Sequence, residues 1–87
     1  MLTFHVWLYT FVYMDSTHYY HEKLASARNL RAKTQKEIAE MLGVDAKTIH
    51  RAETGITVSY QLLTRLCDLY SIPMTTIVKA HPETAPA

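Results

Sequence analysis

Gln35-Lys36-Glu37-Ile38-Ala39-Glu40-Met41-Leu42-Gly43-Val44-Asp45-Ala46-Lys47-Thr48-Ile49-His50-Arg51-Ala52-Glu53-Thr54 is the stretch on which the fold turns. Apolar residues recur in it at helical spacing in two short runs: Ile38, Ala39 and Leu42, then Ile49 and Ala52. Each run makes one buried stripe on a short helix. Thr34, just upstream, sets up a capping box with Glu37, in which the hydroxyl accepts from the Glu37 N–H and the carboxylate reaches back to the Thr34 N–H. Gly43 follows the last periodic residue of the first run, where a helix ends most easily on a left-handed residue without a Cβ. Asp45 is the expected N-cap of the second helix, Gly55 its stop. Ala39 is small enough to let the two helices cross closely.

The same punctuation continues outward. A helix is expected over 21–31 with Leu24, Ala27 and Leu30 inward. Ser59 caps another helix that runs to about Tyr70 and buries Leu63, Leu66, Cys67 and Tyr70. Pro73 opens a last short turn ending near Val78. Five short helices with tight joints and no strand signal predict a compact all-α domain over 21–79. Residues 1–20 stand apart as an aromatic extension without Lys or Arg, and 80–87, with two prolines and no periodicity, read as a disordered tail.

Composition narrows the function. Net charge is +1, but residues 21–79 carry all nine basic residues and six of the eight acids, a net of +3. Binding to a polyanion must therefore come from a placed patch rather than from bulk charge. The outer face of the 46–54 helix holds Ala46, Lys47, Thr48, His50 and Arg51, a short, polar and basic surface that a major groove can admit. Lys36 adds charge nearby. The single cysteine, Cys67, gives no intrachain disulfide and reads as a small core residue. His18 and His21 share a helical spacing, yet no cysteine or acid completes a metal set around them, so no metal and no cofactor are expected. Neither a nucleophile elbow nor a phosphate loop is present, and the chain is not read as an enzyme.

Thr34 to Ala39, then Leu42-Gly43-Val44, then Thr48 to Gly55, and onward Leu62 to Ile72, resemble the Cro/lambda-repressor-like, or XRE, family. The ordered set is specific where each element alone is weak, and it spans about 22–79. Ala52, where family members often carry a larger aliphatic residue, and Pro73, where they often carry Ser, are departures in packing. The resemblance implies a five-helix domain that binds double-stranded operator DNA as a homodimer, acting as a repressor in a bacterial or phage cytoplasm at the nucleoid. Carried over position by position, it implies base contacts from Ala46, Lys47 and Arg51. Backbone contacts are implied for Gln35, Thr48, His50, Thr57 and Ser59, with Lys36 beside them, and Gln35 is also implied to steady the recognition helix. Arg28 and Glu53 fall where phage repressors carry a structural ion pair.

Residues 2–14 have high β-propensity, are too short for a helical membrane span of ~20 residues, and lack the charged start of a signal peptide. Three readings stand open: a β-arm that pairs with its copy in a dimer, an apolar segment packed on the domain or on a partner, or an upstream start with Met14 the natural one. Two further functions remain beside the repressor. One is an antitoxin that grips a toxin through residues 1–20, the other a protein-binding adaptor that has lost its DNA.

Overall fold

A computed structural model of the protein describes residues 13–79. A dimer or partner arm within 1–12 and the tail at 80–87 lie outside the described residues. The elements are β1 (Tyr13–Met14), α1 (His21–Leu30), α2 (Gln35–Leu42), α3 (Ala46–Thr54), β2 (Val58–Ser59), α4 (Tyr60–Tyr70) and α5 (Met74–Ile77). The helical fold is as expected, with a two-residue strand pair added to it.

The local signals act where they were read. Thr34 and Glu37 form the reciprocal capping box at 3.0 and 2.8 Å. Ser59 accepts from the Leu62 N–H at 3.1 Å and starts α4 at Tyr60, so Thr57 lies ahead of β2 rather than in the helix. Asp45 holds the N-cap position of α3 through its backbone carbonyl, which receives Thr48 N–H at 3.0 Å, and makes no side-chain cap bond. Gly43 and Gly55 are left-handed, at φ 71° and 80°. Ala32 and Ser71 end α1 and α4 in the same conformation without being glycine. Their strain is offset by paired carbonyls: Lys33 N–H reaches Arg28 O, and Ile72 N–H reaches Cys67 O at 2.9 Å.

Leu30 is a correction. It is 85% exposed instead of inward. Six residues past Leu24 is about 120° away around a helix of 3.6 residues per turn, so Leu30 cannot share the face of Leu24 and Ala27. Arg31, seven residues past Leu24, takes the place on that face. Its Nη2 donates to Tyr70 O at 2.6 Å and its guanidinium lies 5.5 Å from the centre of the Tyr70 ring.

The core is built from Leu24, Ile38, Ile49, Leu63, Leu66 and Ile77, joined by Met14 and Tyr19 from upstream of residue 21. Met14 turns inward because β1 pairs antiparallel with β2, Tyr13 opposite Ser59 and Met14 opposite Val58. Tyr19 is fully buried, and residues 18–20 run antiparallel to 77–79: Tyr20 N–H donates to Ile77 O and Lys79 N–H to His18 O, both at 2.8 Å. Residues 13–20 are thus laced both to the joint between α3 and α4 and to the end of α5. Cys67 is buried as a core residue, and that burial pushes its thiol pKa up.

Candidate nucleic-acid interface

α3 packs its apolar stripe, Ile49 and Ala52, against the core, with α2 and α1 as its main neighbours. Lys47, His50 and Arg51 are left exposed, and Ala46 and Thr48 half-exposed. The one acid of this helix, Glu53, is turned the other way and is only 7% exposed. Arg28 grips it with two bonds, Nε to Oε2 at 2.7 Å and Nη2 to Oε1 at 3.0 Å. The bidentate hydrogen bond holds the guanidinium pKa above its ordinary value. Gln35 adds a third bond, its Nε2 donating to Glu53 Oε1 at 3.0 Å, with His50 Nδ1 3.5 Å from the same nitrogen. The first residue of α2 and the last turn of α3 are thereby fastened together. The outer face of α3 keeps two cations and no carboxylate.

The start of α2 sits beside this face. The capping box occupies the N–H groups of Thr34 and Glu37, and Ile38 N–H bonds Thr34 O. The N–H groups of Gln35 and Lys36 have no partner among the described residues. They are two of the four donors that every helix start leaves free. The carboxylate of Glu37 is held below its ordinary pKa by the bond from the Thr34 backbone.

The far end of α3 is held by Ser16, Tyr19 and His21, to which the sequence assigned no such role. Gly55 N–H and Ile56 N–H both go to Arg51 O, which leaves Ala52 O, Glu53 O and Gly55 O without helical donors. Segment 16–21 supplies three: Tyr19 OH to Ala52 O at 2.6 Å, His21 Nδ1 to Glu53 O at 2.8 Å, and Ser16 N–H to Gly55 O at 2.9 Å. The His21 ring and Ser16 Cβ close over Gly55 so tightly that a Cβ there would lie 2.7 and 2.8 Å from them. Tyr19 stays protonated, its pKa pushed up to about 12 by burial. No spacing rule links Tyr19 to Ala52; the one legible hint was two aromatic side chains, Tyr19 and Tyr20, directly before a helix that lacks a capping residue.

Thr57 and Ser59, both half-buried, lie across from α3 and share a groove with Thr48 and Arg51. The structure therefore brings Gln35, His50, Arg51, Thr48, Thr57 and Ser59 to the margins of one helix, with Lys47 on its outer face and Lys36 exposed in the first turn of α2. Among the described residues, no three histidine, cysteine or acidic side chains gather as a metal site, and no helix is long and apolar enough to cross a membrane.

A family model described as a helix-turn-helix domain matches residues 22–76, well over half of the chain. No curated protein and no solved structure matches it.

Proposed function

Because the chain belongs to the helix-turn-helix domain family, we propose that it is a sequence-specific regulator of transcription that sets α3 into the major groove of double-stranded DNA. The observation that carries this reading is the electrostatic division of α3. Its acid is buried and neutralised by Arg28, while Lys47 and Arg51 stand exposed on the opposite side. Arg51 is the candidate for a forked bond to guanine O6 and N7, worth ~1–3 kcal/mol of discrimination. Lys47 takes a base or a phosphate, and Ala46 a thymine methyl. Gln35 and Lys36 N–H groups, with the positive end of α2 behind them, suit a phosphate. Thr48, His50, Thr57 and Ser59 complete the backbone contacts. In this reading two copies bind as a dimer, with recognition helices ~34 Å apart on successive turns, and repress by occupying the site.

Selection of bound duplexes from a random pool tests this. A single enriched motif, two-fold in form, is the expected result. In Arg51→Ala the enriched site should lose ~1–3 kcal/mol while random duplex is little affected. Gln35→Ala should weaken both. A pool that emerges without enrichment refutes sequence-specific binding.

A further inference from the structure

β1 does more than bury Met14. It carries Tyr13, 58% exposed, to a position opposite Ser59, and so to the edge of the groove beside α3. That groove encloses about 300 Å³. Thr48 and Arg51 line it from α3, and Thr57 and Ser59 line it from the chain after the helix. Val58 and Leu62, 2% and 6% exposed, form its apolar floor. Every polar side chain in it is a hydroxyl or a guanidinium, and no carboxylate lines it. A rim whose every polar group can donate a hydrogen bond, over an apolar floor, matches a deoxyribose–phosphate unit, whose sugar face is apolar and whose phosphate oxygens only accept.

We propose that Tyr13 is a further DNA-contact residue, and that the groove it shares with Thr48, Arg51, Thr57 and Ser59 seats one sugar–phosphate of the strand flanking the site read by α3. This rests on the DNA-binding reading above. The phenol donates to the phosphate while its ring covers the sugar. Being uncharged, Tyr13 adds affinity without releasing a further counterion, so it does not change how binding depends on salt. Being a backbone contact, it does not discriminate between sequences. Its register is fixed by the β1–β2 pairing, because a shift of one residue would turn Tyr13 inward and Met14 out.

The test uses the full chain and two duplexes, the selected site and a random sequence, followed by fluorescence anisotropy across a range of salt. Tyr13→Ala should bind both duplexes about tenfold more weakly with an unchanged salt slope, and Tyr13→Phe should fall between it and the parent. A walk of single methylphosphonates along the selected site should find one neutralised phosphate that weakens the parent clearly more than it weakens Tyr13→Phe. The inference is overturned if Tyr13→Phe binds both duplexes like the parent, or if no phosphate position couples to it. Loss confined to the selected site also overturns it, since that assigns Tyr13 to base reading. If Arg51→Ala and Gln35→Ala weaken binding while both Tyr13 variants do not, only this inference falls. If the parent binds neither duplex, the DNA-binding reading falls with it. Should Tyr13→Ala fail to fold, Tyr13→Phe, which keeps the ring, decides alone.

Discussion

Tyr19→Phe and Tyr70→Phe delete the same atom from side chains that are equally buried, 0% and 2% exposed, yet they should have opposite consequences. The Tyr19 hydroxyl donates to Ala52 O at 2.6 Å, and neither helical donor can replace it, because Gly55 N–H and Ile56 N–H are both already on Arg51 O. Its loss leaves a buried carbonyl unpaired at the end of α3, a cost of about 1–3 kcal/mol. In a domain of 60–100 residues each kcal/mol moves Tm by roughly 4–8 °C, so Tyr19→Phe should melt about 4–24 °C below the parent. The Tyr70 hydroxyl is buried with no hydrogen-bond partner among the described residues. Removing it relieves an unpaired polar group at the expense of a void one oxygen wide, so Tyr70→Phe should lie within about 1 kcal/mol of the parent and on the stable side. Urea unfolding followed by far-ultraviolet circular dichroism, with all three proteins fitted to a common slope, measures both differences. Equal losses in the two variants would mean that hydroxyl burial matters more than pairing, and an undiminished Tyr19→Phe would refute the clamp on α3.

The two left-handed glycines should separate in the same assay. Gly43→Ala, with open space around its new Cβ, should lose only the left-handed penalty of about 1–2 kcal/mol. Gly55→Ala meets the His21 ring and Ser16 as well, and should lose about 1–3 kcal/mol more; equal losses would show that the contact relaxes freely. Truncation to His21 removes Met14 and Tyr19 from the core, and should leave a chain without a cooperative melt near neutral pH, because each buried side chain of that size contributes about 1.5–3 kcal/mol. A truncated chain as stable as the parent would place the domain boundary at residue 21. Tyr19 and Tyr70 have their pKa pushed from 10.0 up to about 12 in the fold by burial. Through these two groups the folded chain holds more protons than the unfolded one above pH 10, so their contribution to stability should be flat below that and fall from pH 10 to 12. In Tyr19→Phe and Tyr70→Phe together the fall should be shallower; an unaltered alkaline limb would assign it to other groups.

The devices legible in the sequence are those whose partners lie within one helical turn. Thr34 and Glu37 are three residues apart and could be paired on sight, as could Ser59 and Leu62. Gly43 and Gly55 mark the two ends they terminate, and the exposed face of α3 follows from the helical period around Ile49 and Ala52. Such features need only local geometry, which the spacing of residue types encodes directly. The Arg28–Glu53 pair, 25 residues apart, was reached through family resemblance alone.

What tertiary structure decided lies between segments with no common periodicity. The helical period alone turns Leu30 away, but that Arg31 meets Tyr70 was settled by packing, because the partner is on another helix and a guanidinium can satisfy a carbonyl there as well as cover a ring. Ala32 and Ser71 accept a left-handed turn that no glycine announces, since the carbonyls they close over are paired only once the chain has turned. Val58 and Ser59 become a strand only because Tyr13 and Met14 arrive beside them, and two residues are too few to carry an alternating pattern. Tyr19 and Ala52 meet across 33 residues of chain. Pairings of that kind depend on where whole helices come to rest, which residue spacing along one segment does not record.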